Sequence, residues 1–176
     1  MSDRVGAITM KGNPLTLIGH EIKVGDQAPD AVLVANDLSE VKLSSFKGKK
    51  IILSVVPSLD TPVCDLQTRR FNQEASKLED VVVLTVSRDL PFAQKRWCGA
   101  AGATAVKTLS DYRGNFGETY GVLIKGLSLL ARCIFVINES GKVTYTQLVK
   151  EVASEPNYDD VLKALKNETC GCGGHH

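Results

Sequence analysis

The chain of 176 residues carries 21 basic against 20 acidic side chains, a net charge of +1, with 43% hydrophobic and 23% charged residues. That length and composition fit one globular domain with its own core. The balanced charge gives no case for a nucleic-acid or anionic-membrane partner.

The N-terminal stretch MSDRVGAITMKGNP lacks the charged start and long apolar run of a signal peptide. AITM and LTLIG then flank KGNP, which predicts a β-hairpin turning at Gly12-Asn13-Pro14. AVLVA and EVKL are short apolar runs of strand length. IILSVV, Ile51 to Val56, is β-branched and apolar on both parities, as in a central strand buried on both faces. Pro57 ends it. Thr61 suits an N-cap and Pro62 the first helical position, so a helix is expected from 62 to 78. Leu66, Phe71, Ala75 and Leu78 are its expected inward positions. VVVLTVS, Val81 to Ser87, is a second buried strand, and LPFAQKRWCGA a short helix stopping at Gly99. AVKTLSD and GNFGETYG give a short strand and a short helix. CIFVIN, a turn at Ser140-Gly141 and KVTYTQLV form an antiparallel pair. NYDDVLKALKN is a closing amphipathic helix. This order predicts an α/β domain with a mixed central sheet flanked by helices. The most apolar region, GVLIKGLSLLARCIFVI, is interrupted by Lys125 and Arg132 and makes a poor membrane span, so the expected compartment is the cytoplasm.

Five cysteines occur, Cys64, Cys98, Cys133, Cys170 and Cys172. An odd, scattered set does not read as a disulfide scaffold, and without a CxxC pair a thioredoxin-type reductase is disfavoured. Cys64 falls in the first turn of the helix expected after Thr61. First-turn N–H groups and the positive end of the helix dipole favour a negatively charged sulfur there. The Thr61 hydroxyl, three residues back, is close enough to serve the sulfur or an incoming oxygen. A lone free cysteine is as readily a buried hydrophobe; the spacing Pro-x-x-x-Thr-x-x-Cys directly after a buried strand shifts the reading toward a nucleophile.

Pro57, Thr61 and Cys64 stand in a pattern that resembles the peroxiredoxin active-site motif. The phrases PSLDTPVC, VSRDLPFAQKRWCG and KGLSLLARCIFVI, with GNPLTLIG near the start and TQLVKEVASEPNYDDVLKALK at the end, resemble the bacterial thiol peroxidase subfamily, the atypical two-cysteine peroxiredoxins. The likeness runs from about Val5 to Lys166. It implies a thioredoxin-like fold in its peroxiredoxin variant, with the N-terminal hairpin as a subfamily feature. It implies that Cys64 is the peroxidatic cysteine, oxidised to a sulfenic acid by hydrogen peroxide or an alkyl hydroperoxide. Thr61 would orient sulfur and peroxide, Pro57 would shield the site from water, and Arg132 would bring a planar, permanently charged donor group to the sulfur. Cys98 would be the resolving cysteine, closing a Cys64–Cys98 disulfide within one chain after local unwinding. Thioredoxin would restore the dithiol, and the enzyme would be a homodimer without a cofactor.

On this reading residues 1–167 form the single domain, and 168–176, ETCGCGGHH, is a tail expected to be flexible. Cys133 reads as a small hydrophobe in its strand. The alternative is a metal-binding or metal-delivery protein working through Cys170, Cys172, His175 and His176, whose spacing is not a standard zinc pattern. A cysteine hydrolase would need His20, the one histidine outside the tail, as its base, and no orienting carboxylate stands at obvious spacing.

Overall fold

The computed structural model describes residues 3–78 and 80–169. The chain enters through a hairpin, β1 (Asp3–Met10) and β2 (Asn13–Ile18). Its two-residue turn is Lys11-Gly12, with φ of 50° and 84°; positive φ at both positions is the geometry whose twist matches paired strands. The turn therefore sits earlier than Gly12-Asn13-Pro14. Asn13 and Pro14 belong to β2, opposite Met10 and Thr9. Pro14 is tolerated because β8 pairs only with Leu17 and Ile18 of that strand.

There follow β3 (Val32–Val34), β4 (Glu40–Lys42), a 3-10 turn at Leu43–Phe46 and β5 (Lys50–Val55). The central run is α1 (Pro62–Ala75), β6 (Val81–Ser87), α2 (Pro91–Ala101) and β7 (Val106–Ser110). A short α3 (Phe116–Thr119) leads to two small strands, β8 (Leu123–Ile124) and β9 (Leu129–Leu130). The chain closes with β10 (Cys133–Ile137), β11 (Val143–Leu148) and α4 (Tyr158–Thr169). The β8–β9 hairpin lies inside the apolar GVLIKGLSLLA run, where no element is expected from the sequence. The tail residues Cys170, Cys172, His175 and His176 lie outside the described residues.

Seven strands make the mixed central sheet in the order β11-β10-β5-β6-β7-β3-β4, and β1-β2-β8-β9 make a second, smaller one. β5, β6 and β7 are parallel, and β10 runs antiparallel beside β5. Side chains alternate across a strand, so β5 serves two cores. Ile51, Leu53 and Val55 point toward the small sheet, where they join Ile8, Leu17, Phe116, Tyr120 and Ile124. Ile52 points the other way, toward Phe71 of α1, Trp97 of α2, and Val161 and Leu165 of α4. The helices α1, α2 and α4 thus cover one face, and the small sheet with α3 covers the other.

Three helix expectations are corrected. α1 ends at Ala75, and Leu78 packs against the core from beyond it. Leu66 is 51% exposed; the buried face of α1 is Cys64, Gln67, Thr68 and Phe71, an i, i+3, i+4, i+7 set that Leu66 does not share. Two of these four are polar, which is why an apolar pattern misassigned the face. α2 runs through Gly99 to Ala101, and Gly102, in the left-handed region with φ 65°, is the residue that caps it. Among the described residues no helix is long and apolar enough to cross a membrane.

Candidate active site

The site lies past the carboxyl end of β5, where parallel α/β sheets leave a crevice between strand ends and helix starts. Val55 ends the strand, Pro57 is buried, and the chain turns through Ser58–Asp60 into Thr61. Thr61 occupies the N-cap position with extended backbone, and its carbonyl accepts the Asp65 N–H at 2.9 Å. Its side chain makes no cap bond. The hydroxyl instead donates to Ser58 O at 2.9 Å, on the exposed side of the loop. Pro62 is N1 and Cys64 is N3, in the first turn as expected.

Cys64 is fully buried against Val56, Leu59 and the half-buried Trp97. It is also bonded. Arg132 Nη2 donates to Cys64 Sγ at 3.2 Å. Burial and a charged donor therefore meet at one side chain.

Arg132 follows β9 and precedes β10, and it is 2% exposed. Each of its three nitrogens donates one hydrogen bond. Nε donates to Val152 O at 2.9 Å, Nη1 to Gln67 Oε1 at 2.9 Å, and Nη2 to the sulfur. Gln67 is oriented in turn, since its Nε2 donates to Ser54 Oγ of β5 at 2.7 Å. Among the described residues no carboxylate forms an ion pair with Arg132. A buried cation without a counter-charge is expensive. The group set against the third nitrogen of Arg132 is the Cys64 sulfur.

Three positioning groups lie outside the set of residues expected at the site. Gln67 stands at i+3 from Cys64, so its placement was available from helix geometry alone. Asp89, just past β6, fixes the loop before α1: it accepts from Ser58 Oγ at 2.7 Å, Leu59 N at 2.8 Å and Ser87 Oγ at 2.7 Å. The Val152 carbonyl is backbone and has no sequence signature. It is held through the hairpin, where Val152 N donates to Thr9 O at 2.8 Å and Thr9 N to Lys150 O at 2.7 Å.

Glu151 staples the same junction. Its carboxylate accepts from Ala153 N at 2.8 Å, Gly12 N at 2.9 Å and Thr9 Oγ1 at 2.9 Å. These bonds, the one from Ala153 N first, hold the carboxyl down at about 2, from an ordinary 4.5. A depressed folded-state value means the carboxylate stabilises the fold above pH 4.5 and loses that contribution as pH falls toward 2. Glu151→Gln is therefore expected to melt modestly below wild type at pH 7, with the gap closing on acidification. Thermal melts of both proteins from pH 7 to pH 2.5 check this; a gap independent of pH would refute it.

Cys98 opens the last turn of α2 and is half-buried. Its Sγ lies 3.5 Å from Thr108 Oγ1 on β7, and Thr108 donates to Asn36 Oδ1 at 3.0 Å. With its hydrogen committed to Asn36, the Thr108 oxygen is left to accept from the Cys98 thiol. Cys98 opens onto a groove of about 670 Å³ bounded by Asn36, Val82 and Thr108. Cys64 and Cys98 thus have separate partners on separate walls. Of the residues expected at the site, Cys64 and Arg132 are in direct contact. Pro57 and Thr61 lie on the adjoining loop, and Cys98 is not brought to the sulfur in this conformation.

Cys133 is buried in β10, and desolvation pushes its thiol up, which suits a strand hydrophobe. His20 is exposed beyond β2 and does not meet Cys64. Among the described residues no group of three His, Cys, Asp or Glu side chains could hold a metal.

Comparison with known proteins places this geometry. Residues 23–162 match the Redoxin family. The chain is 58% identical to a thiol peroxidase of Bacillus subtilis over 160 residues, covering 90% of this chain and 96% of that protein. It is 54% identical to a thiol peroxidase of Listeria monocytogenes, covering 90% and 97%. A peroxiredoxin-like protein from Aquifex aeolicus superposes with a TM-score of 0.88 at 46% identity, covering 93% and 98%. A thiol peroxidase from Chromobacterium violaceum has the same fold, with a TM-score of 0.86 at 21% identity over 96% and 98%.

Proposed function

The chain belongs to the Redoxin family and, within it, to the peroxiredoxin-type thiol peroxidases, and on that footing we propose that Cys64 is the sulfur that meets the peroxide. The observation that carries this is the buried Arg132 N–H aimed at Cys64 Sγ at 3.2 Å. The Cys64 thiolate attacks the terminal peroxide oxygen. An S–O bond forms as the O–O bond breaks, and the remaining oxygen leaves as alcohol or water after taking up a proton. Arg132 stabilises the charge that shifts from sulfur to the departing oxygen. The exposed Thr61 hydroxyl turns from Ser58 O to the incoming peroxide, and buried Pro57 keeps bulk water from the sulfur. The walls made by Val56, Leu59 and Trp97 are apolar, which suits organic hydroperoxides as well as hydrogen peroxide.

The sulfenic acid on Cys64 is then resolved by Cys98 as a disulfide within the chain. A dithiol protein of the thioredoxin class reduces that disulfide by exchange. We read residues 1–167 as the catalytic domain, acting in the cytoplasm as a homodimer. The test is intact mass after one equivalent of hydroperoxide, followed by non-reducing digestion, on wild type and Cys98→Ser. Wild type is expected to yield a Cys64–Cys98 cross-link, and Cys98→Ser a Cys64 sulfenic acid, 16 Da heavier, as one added oxygen requires. A Cys64 that stays a free thiol would sink the proposal.

A further inference from the structure

Trp97 and Cys98 are neighbours on α2, so they point about 100° apart. Trp97 packs against Cys64, while Cys98 faces Thr108 on β7. On α1, Asp65 is the neighbour of Cys64. The residues beside the two cysteines are joined: Trp97 Nε1 donates to Asp65 Oδ1 at 2.7 Å. The other oxygen, Oδ2, accepts from Arg69 Nε at 2.9 Å, and the Arg69 guanidinium lies over the Trp97 ring at 5.6 Å from its centre. Asp65, Trp97 and Arg69 close a triangle between the first turn of α1 and the last turns of α2.

Terminal helix turns fray cheaply, and each cysteine sits near such an end. Cys64 is N3 of α1. The Cys98 carbonyl already belongs to the cap of α2, accepting from Gly102 and from Ala103 N at 3.0 Å. Besides the contacts of each sulfur, to Arg132 and to Thr108, what opposes local unwinding is the tie between the two helices. We propose that the Asp65–Trp97–Arg69 triangle is a latch that sets the rate at which Cys98 reaches oxidised Cys64. This inference rests on the Cys64–Cys98 pairing proposed above. In that step the Cys98 sulfur attacks the Cys64 sulfenic sulfur. The S–S bond forms as the S–O bond breaks, and the hydroxyl leaves with the thiol proton as water. In this step Asp65 and Trp97 are positioning residues: they make and break no bond to sulfur, and act through the contact between the two helices. A closed latch prolongs the life of the sulfenic acid, and with it the exposure of Cys64 to a second peroxide.

The test uses full-length wild type, Trp97→Phe, Asp65→Ala and the double variant. Trp97→Phe keeps a ring in place and removes the N–H. Reduced protein is mixed with one equivalent of hydroperoxide, quenched and alkylated at successive times, and weighed. Conversion of sulfenic acid to disulfide is expected to be about three- to tenfold faster in each single variant, as for loss of one partly exposed charge-assisted hydrogen bond. The double variant is expected to be no faster than either single one, because both remove the same contact. The peroxide excess needed to drive Cys64 to the sulfinic acid should rise in the same ratio. Asp65→Asn, which keeps an acceptor for the indole, should recover most of the wild-type rate. Trp97 is the only tryptophan, so wild-type fluorescence should change in step with disulfide formation. Unchanged or slower conversion in both single variants, or effects that multiply in the double, would overturn the latch while leaving the pairing intact. A wild type that forms no Cys64–Cys98 disulfide would overturn both.

Discussion

Replacing Cys64 by serine is expected to abolish peroxide-dependent turnover, leaving only the rate of peroxide decay in buffer. A serine hydroxyl is not ionised near neutral pH, and an oxygen in that place cannot cycle between thiol, sulfenic acid and disulfide. The fold should survive. Serine is close to cysteine in size, and its oxygen can accept the Arg132 N–H that now reaches sulfur at 3.2 Å. The stability change is expected to stay within about 1.5 kcal/mol, the worth of one hydrogen bond. Activity assays with thermal melts check both halves. Residual turnover above the buffer rate would mean that another cysteine carries the reaction. Cys98→Ser makes the contrast, since it should still consume one equivalent of peroxide.

Arg132→Lys is expected to lower the rate of Cys64 oxidation by about 10²–10³-fold, the usual cost of removing an aligned donor from developing charge. Charge is conserved in this substitution, so its effect isolates geometry. One ammonium cannot reach Val152 O, Gln67 Oε1 and the sulfur together as the guanidinium does. At least one buried acceptor loses its donor, at a cost to the fold of about 1–3 kcal/mol. The two effects are separable. Stopped-flow oxidation measured well below the melting temperature reads the folded enzyme alone. A near-normal rate there, with only a lowered melting temperature, would assign Arg132 to stability and not to chemistry.

Much of the fold was legible because it rests on local rules. IILSVV is apolar on both parities and does lie between two cores. Thr61-Pro62 does open α1, and KVTYTQLV does pair with CIFVI. The errors came where function or backbone detail overrides a pattern. Leu66 fits an apolar count, yet Gln67 and Thr68 take the buried face because Gln67 serves Arg132. Gly99 looks like a helix stop, yet the left-handed conformation falls at Gly102. The N-terminal turn moved because Lys11 and Gly12 together supply the two positive φ angles that a two-residue hairpin loop demands.

The site divides in the same way. The sequence alone determined that Cys64 lies in the first turn of a helix after a buried strand, since strand periodicity, a breaking proline and capping chemistry are all local. It could name Arg132 only through family resemblance, because 68 residues separate it from Cys64 and nothing local links them. Tertiary structure decided that β9, β10 and the loop around Val152 bring the guanidinium to the sulfur. It also decided that Gln67 and the Val152 carbonyl hold it there, and that Trp97, not Cys98, faces Cys64. These facts depend on long-range packing, which fixes the direction of each side chain only once the sheet and helices have met.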